Sequence, residues 1–194
     1  MPDWQDAGLA SSDNDDQHLD NELLKRAIDG DVDAYGQLYE IHAQAIFRFI
    51  YSHVSNRLDA EDLTEEVFMR VWRSLPGFKD RGAPFVAYLF RVARNAVIDF
   101  YRRNKYDAQE TSLEDITVKD RQPEPGEATL HKMEHEEVRE VMTQLRDEYR
   151  TVLVLRFLSN LSPDETAEVM GKTPGAVRVL QHRALAALRK LLGN

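Results

Sequence analysis

The chain has 194 residues, of which 42% are hydrophobic and 30% charged, and its formal net charge is −9. This length fits one mid-sized domain or two small ones with modest cores. The absence of cysteine excludes disulfides and thiolate metal sites and fits a reducing compartment. No apolar run approaches the roughly 20 residues of a membrane span, and the N-terminus is too acidic for a signal peptide. We therefore expect a cytoplasmic chain without membrane insertion.

Charge is strongly segregated along the sequence. The first 22 residues carry seven acids and no Lys or Arg, which predicts a solvated, disordered tail over residues 1–20. Residues 91–105 hold five basic residues and one acid, and residues 171–194 hold five basic residues and no acid. Because phosphate contacts depend on local charge, the acidic total does not exclude nucleic-acid binding.

Apolar residues recur at helical spacing, and no alternating strand pattern is evident, so we predict an all-α chain. Two stripes precede residue 76: Val32, Tyr35, Leu38, Tyr39, Ile46, Phe49 and Ile50, then Leu63, Val67, Val71 and Leu75. A third helix is predicted from about Phe85 to Arg103. These helices can share one core, which predicts a first domain over residues 21–105.

An acidic segment rich in proline and glycine follows. Residues 104–130 contain Pro123, Pro125 and Gly126, with seven acids against three bases. This composition predicts a flexible linker over residues 106–128, and renewed helical spacing predicts a second domain over 129–194. The predicted fold class is all-α, with two small helical domains joined by the flexible acidic linker.

The second domain contains a helix-turn-helix pattern. Residues 162–165, S-P-D-E, form a capping box with proline at the first helical position. Gly171 stands where a left-handed cap ends that helix, and Thr173 with Pro174 starts another almost at once. Two helices joined by so short a turn cross steeply, and the second can enter a DNA major groove.

The second helix of this pattern has an apolar and a polar side. Val177, Leu180, Ala184 and Leu188 fall on the predicted core face. Arg and Gln pair with base edges, so Arg178 and Gln181 are candidates for base contacts. The predicted DNA-binding set is Lys172, Thr173, Arg178, Gln181, His182 and Arg183, with Arg189 and Lys190 suited to phosphates. A helical hairpin with a solvated basic face is the alternative that the residues leave open.

The first domain contains two charged helices. Asp59, Glu61, Asp62, Glu65 and Glu66 cluster at the start of one, where the helix dipole favours acids and where a basic partner could dock. The second, residues 88–105, places Arg91, Asn95, Ile98 and Arg102 along one side with Arg94 beside them. Internal ion pairs on a surface helix are the alternative. The preceding loop, residues 75–85, brings Phe78 beside basic residues, an arrangement that suits unstacked bases.

These blocks resemble, in order, those of bacterial RNA polymerase sigma factors of the extracytoplasmic-function (ECF) group. DAEDLTEEVFMRVWRSL is similar to the polymerase-clamp helix, YLFRVARNAVIDFYRR to the minus-ten helix, and residues 145–192 to the minus-thirty-five helix-turn-helix. The resemblance implies a sigma factor that binds core RNA polymerase, at the beta-prime clamp and beta flap, and directs initiation at promoter DNA. Family members are often held by an anti-sigma factor.

The resemblance also assigns roles to residues. Asp59, Glu61, Asp62, Glu65 and Glu66 would face the polymerase clamp, with Phe68 and Trp72 in the core. The minus-ten contacts would be Phe78, Lys79, Arg91, Arg94, Asn95, Arg102 and Arg103, and the loop from Pro76 to Pro84 would hold a flipped base. The chain departs from the family at Tyr88, often Trp, and at Val179, Leu180 and Gln181, where many members carry polar or basic residues.

Two other functions fit parts of the sequence. A repressor or activator would explain the helix-turn-helix but not the two charged helices of residues 59–103. A zinc peptidase would explain H-K-M-E-H at residues 131–135, which matches H-x-x-E-H, but no third ligand is evident. We expect neither catalytic residues nor a metal or cofactor.

Overall fold

A computed structural model of the chain describes the backbone of residues 10–54, 56–78, 84–110 and 140–193. Within these ranges the chain is helical and contains no strand, which confirms the predicted all-α class. The side chains of residues 18–54, 56–78, 84–104 and 140–193 are described. Most of the linker, Lys79 and the H-K-M-E-H segment lie outside the described residues.

Four helices build the first domain: α1 (Ala10–Ile28), α2 (Val32–Val54), α3 (Arg57–Ser74) and α4 (Phe85–Glu110), with a 3₁₀ turn at Leu75–Gly77. Gly30 ends α1 at φ 96°, where a glycine avoids the Cβ clash. Asn56 caps α3, since its side chain accepts the backbone N–H of Leu58. Local caps therefore set where these helices start and stop.

The core of this domain follows the predicted stripes. Leu38, Ile46, Phe49 and Ile50 of α2 and Leu63, Val67, Val71 and Leu75 after it are buried. Val32 is the exception: it is the first residue of α2, is 66% exposed, and its assignment to the stripe is wrong. Tyr39 lies at the edge of the core and packs on Phe68, with ring centroids 4.7 Å apart. The third predicted helix is confirmed, and α4 continues to Glu110.

The expected disordered tail is wrong for residues 10–20, which belong to α1. The stretch is acidic, but α1 docks through Leu23, Leu24 and Ala27, all buried. Asp20 also accepts a hydrogen bond from Nε2 of His42 on α2, at 2.8 Å. Burial of three apolar side chains and one polar contact offsets the cost of ordering this segment.

The second domain comprises a helical turn at 140–143, α5 (Asp147–Leu153), α6 (Pro163–Met170) and α7 (Pro174–Leu191). A π-helical segment, Val154–Leu158, continues α5. Val152, Leu155, Val169 and Val177 are buried in its core. The two domains touch: α2 and α4 pack against α5, α6 and the π-helical segment. Their buried apolar residues form one continuous cluster.

Candidate nucleic-acid interface

The acidic cluster lies in the first half of α3, where the capped start of the helix places it. Asp62 and Glu65 are exposed, and Asp59 is partly buried. The other two acids have partners within the chain: Glu61 bonds Arg57 at 2.8 Å, and Glu66 bonds Arg70 at 2.6 Å. The structure therefore gathers all five acids but turns chiefly Asp62 and Glu65 outward.

Arg70 ties this acidic helix to the basic α4. Its guanidinium bonds Glu66 on α3 and lies 3.3 Å from Asp99 on α4. Partial burial alone would lower the pKa of Arg70, but the two carboxylates raise it above the ordinary value. Arg103 approaches Glu66 at 3.5 Å and Arg102 approaches Asp99 at 3.7 Å. The side chains of the predicted minus-ten residues Arg102 and Arg103 are thus held by carboxylates that flank Arg70.

The rest of the basic surface of α4 is exposed at Arg91 and Asn95, whereas Arg94 is half-buried. Tyr88 anchors this end of the helix, because its hydroxyl lies 2.7 Å from Oγ of Ser74. The Arg91 guanidinium lies over the Tyr88 ring, 5.4 Å from its centroid. Phe78 is half-buried and packs edge-on against the same ring, with centroids 5.0 Å apart. Phe78, the aromatic residue expected to face unstacked bases, therefore packs against Tyr88.

The helix-turn-helix has the predicted local geometry. Oγ of Ser162 accepts the Glu165 N–H at 3.1 Å, and Glu165 accepts the Ser162 N–H at 2.7 Å. Gly171 is left-handed, with φ 63°. Thr173 caps α7, since its hydroxyl accepts the N–H of Ala176 at 3.2 Å. Each turn signal read from the sequence is confirmed, and the hydroxyl of Thr173 is used in this cap.

The outer face of α7 presents a row of exposed side chains: Arg178, Val179, His182 and Arg183. Val177 and Ala184 are buried on the opposite face, and Leu180 and Leu188 are half-buried. We call this outer row the recognition face. The row matches the polar side predicted from the sequence, with Val179 as its apolar member.

Besides Thr173, two more of the predicted DNA contacts have partners inside the domain. Gln181 is half-buried, and its Oε1 accepts a hydrogen bond from Nε of Arg156 at 3.2 Å. Arg156 also donates to the carbonyl of Leu161, so it links the π-helical segment, the turn before α6 and α7. Lys172 pairs with Glu148 at 2.9 Å. No pattern in the sequence indicates a role for Arg156, although Gln181 lies four residues after buried Val177, a spacing that places it toward the inner face.

His53, for which no functional role was predicted, lies between the two domains. It is 4% exposed. Its Nδ1 donates to the carbonyl of Phe49 at 2.8 Å, and Nε2 lies 3.0 Å from Oγ1 of Thr151 on α5. Burial lowers the pKa of His53 below its ordinary value. Its position four residues after buried Phe49 indicates burial, but nothing in the sequence indicates a partner 98 positions away.

The described residues contain no group of three or more His, Cys, Asp or Glu that could hold a metal ion. His131 and His135, the residues of the zinc alternative, lie outside the described ranges. Among the helices that the structure describes, none is both long and apolar enough to cross a membrane.

Two known families match separate parts of the chain: Sigma-70 region 2 over residues 38–106 and Sigma-70, region 4 over residues 135–188. Among curated relatives, ECF RNA polymerase sigma factor ShbA of Streptomyces griseus is 36% identical over 87% of this chain and 93% of its own. SigW of Bacillus subtilis, also an ECF sigma factor, is 30% identical over 87% of this chain and 94% of its own. ECF sigma factor BldN of Streptomyces coelicolor is 35% identical over 88% of this chain, which spans 65% of BldN.

Solved structures show the same architecture. CnrH, in complex with the cytosolic domain of CnrY, superimposes with a TM-score of 0.70 at 27% identity, over 90% of this chain and 97% of CnrH. Sigma factor RpoE of Bartonella quintana, in complex with the anti-sigma factor NepR, has a TM-score of 0.65 at 22% identity, over 84% of this chain and 98% of that one. The second similarity supports the fold alone.

Proposed function

Because the chain belongs to the ECF sigma factors of bacterial RNA polymerase, we propose that it directs promoter-specific initiation through three separate surfaces. The acidic cluster of α3 binds the polymerase clamp. The basic side of α4 binds the minus-ten element, and the recognition face of α7 binds the minus-thirty-five element. The observation that carries this proposal is the segregation of exposed charge: acids at the start of α3, bases on α4 and α7.

Within each surface, the residues with the most exposed and unpaired side chains are the strongest expected contacts. Asp62 and Glu65 are the strongest clamp contacts, since Glu61 and Glu66 have partners in the chain. On α4, Arg91 and Asn95 are the strongest expected contacts with the minus-ten element. The remaining expected contacts are Arg94, Arg102, Arg103, Phe78 and Lys79. Arg178, His182 and Arg183 lead on α7 because Gln181 and Lys172 are held by Arg156 and Glu148. A held side chain must exchange its partner before it can contact DNA.

The domain boundaries are part of this proposal. The first domain covers residues 21–105 and gains α1 from residue 10, because Asp20 and the buried face of α1 belong to its core. The second covers residues 129–194. The linker was expected over residues 106–128, but α4 continues to Glu110, so the first five of these residues are helical and the proposed linker covers residues 111–128. Within it, residues 120–126 contain two acids and one base. We expect a segment of this composition to act as a flexible tether between the two domains.

We further propose that the chain has no catalytic activity of its own and needs no cofactor. Its place of action is the cytoplasm, where transcription occurs, and its partners are core RNA polymerase, through the beta-prime clamp and the beta flap, and promoter DNA. An anti-sigma factor is a further expected partner, because members of the family are often held by one. A repressor or activator would need DNA but not the acidic surface of α3.

A binding experiment with core polymerase tests the clamp surface and separates a sigma factor from such a regulator. The variant Asp62→Asn with Glu65→Gln removes two exposed charges from α3, and Asp33→Asn with Glu40→Gln removes two exposed charges from α2 as a matched control. We expect the first pair to weaken binding by about tenfold, as for two lost charge pairs of roughly 0.7 kcal/mol each. Equal binding by both variants would contradict the assignment.

A further inference from the structure

The outward side of α3 carries apolar side chains beside its exposed acids. Leu58, Asp62, Glu65 and Met69 follow one another at steps of four, three and four residues, so they share one side of the helix. All four side chains are exposed, with exposed fractions of 59% for Leu58 and 49% for Met69. We call these four residues the clamp face. Its two apolar members lie at the ends of the row and flank the two acids.

Met69 does not belong to the core of the first domain. Val67 and Val71 on the same helix are fully buried, and the helical period places them on the opposite side from Met69. The thioether of Met69 therefore reaches solvent in the uncomplexed chain. A partner that docks on Asp62 and Glu65 also covers Met69, because the three side chains share one face.

The sulfur chemistry of this chain depends on methionine. The sequence contains five methionines and no cysteine, so thioethers are its only sulfur groups. Met69, Met142 and Met170 lie in the described parts of the chain, whereas Met1 and Met133 lie outside them. Met142 and Met170 are each only 8% exposed. Because an oxidant reaches exposed side chains first, Met69 should react well before these two.

From this placement we propose that Met69 is an oxidation site that controls the docking of the clamp face on core RNA polymerase. The inference rests on the proposed function of α3. Hydrogen peroxide is the oxidant: the thioether sulfur bonds one peroxide oxygen, the O–O bond breaks, and the second oxygen leaves as water with both protons. Sulfur is oxidised by two electrons and the peroxide is reduced by two. Methionine sulfoxide reductases return the sulfoxide to the thioether.

Oxidation changes the polarity of the contact without changing its charge. The thioether is apolar and flexible, so it adapts to an irregular apolar surface when the partner covers it. The sulfoxide oxygen is polar and binds water, which it must lose when it is covered. Covering the exposed half of a methionine side chain should strengthen binding about fivefold. Formation of the sulfoxide at Met69 should remove that gain.

The fold should survive oxidation at Met69, because the new oxygen meets solvent in the uncomplexed chain. Met142 and Met170 differ, since both belong to the buried apolar cluster, where a sulfoxide would disrupt packing. The thermal midpoint of unfolding therefore separates the two kinds of damage. Peroxide doses that modify Met69 alone should leave the midpoint unchanged, and a lower midpoint at these doses would overturn a role confined to docking.

Peptide mass spectrometry after graded peroxide treatment of the folded full chain tests access to the sulfur. We expect the sulfoxide at Met69 before those at Met142 and Met170. With core RNA polymerase at about ten times its Kd, oxidation of Met69 should slow about tenfold relative to an equal mass of serum albumin, because bound chains are covered. Asp62→Asn with Glu65→Gln should reduce this protection. Equal oxidation with polymerase and with albumin would overturn the inference.

Binding of the treated chain to core RNA polymerase, after catalase has removed the peroxide, tests control of docking. Oxidation at Met69 should weaken binding of the parent about fivefold, and methionine sulfoxide reductases should restore it. Met69→Leu keeps an apolar side chain without sulfur, so its affinity should be the same before and after peroxide. Met142→Leu makes the same change at a buried position and should stay as sensitive as the parent. No loss in the oxidised parent, or an equal loss in Met69→Leu, would overturn the inference.

Failure of this inference and failure of the proposed function give different results. If the untreated chain binds core RNA polymerase no more tightly than Asp62→Asn with Glu65→Gln, the assignment of α3 is wrong and the role of Met69 falls with it. If that variant binds weakly but oxidation at Met69 leaves binding unchanged, the clamp assignment stands and the role of Met69 alone is overturned.

Discussion

Replacing Ser162 with alanine should lower the free energy of unfolding of the helix-turn-helix domain by about 1 kcal/mol. The substitution removes the 3.1 Å bond from the Glu165 N–H to the Ser162 hydroxyl. It leaves the 2.7 Å bond in which the Glu165 carboxylate accepts the backbone N–H of residue 162. Because one of two reciprocal bonds is lost at a helix start, the expected cost is that of one cap, not of the whole capping box.

Urea or thermal unfolding of the full chain, followed by far-ultraviolet circular dichroism, measures this cost. For a domain of about 60 residues, 1 kcal/mol lowers the midpoint by roughly 4–8 °C. Ser162→Thr keeps the hydroxyl and should retain most of the stability, and Glu165→Gln keeps an acceptor for the reciprocal bond. An unchanged midpoint in Ser162→Ala, or an equal loss in Ser162→Thr, would refute the reasoning.

Three further substitutions probe the same domain. Oγ1 of Thr166 is buried without a hydrogen-bond partner among the described residues. Thr166→Val should therefore raise the free energy of unfolding by about 1 kcal/mol. A lower free energy of unfolding for this variant in a urea titration would contradict the prediction. Gly171 has φ 63° with nothing within 4 Å of an added Cβ, so Gly171→Ala should cost about 1 kcal/mol through backbone strain alone. Asn adopts the left-handed conformation more readily than Ala, so Gly171→Asn should lower the free energy of unfolding by less than Gly171→Ala if backbone strain is the cause. Val179 is 52% exposed on the recognition face, where an apolar side chain suits a thymine methyl. Replacing the contacted thymine with uracil should weaken holoenzyme binding about fourfold, as for one lost methyl, and Val179→Ala should abolish the difference; equal sensitivity in both proteins would exclude the contact.

The features predicted well from the sequence are those fixed by neighbours in the chain. The capping box at Ser162, the left-handed Gly171 and the restart at Thr173 depend on a few adjacent residues and are confirmed. The apolar spacing of α7 likewise predicts which side of the helix is buried. Such features can be read locally because the caps and the 3.6-residue period act within one or two turns.

The features that were missed depend on contacts between distant residues. Composition predicted disorder for residues 10–20, but the partner of Asp20 is His42 on α2. His53 stands on a buried stripe, yet its partner Thr151 lies in the other domain. Arg156 draws Gln181 inward through a bond across 25 positions. Periodicity indicates that a residue is buried but not what it meets, so these contacts required the structure.

Transcription of a genomic fragment library by core RNA polymerase, with and without this protein, tests the central claim most directly when the 5′ ends of the transcripts are mapped. Promoter-directed initiation predicts discrete start sites that appear only with the protein and share two upstream elements at constant spacing. Asp62→Asn with Glu65→Gln should reduce those starts, and Asp33→Asn with Glu40→Gln should preserve them. The same distribution of starts with and without the protein would contradict the account.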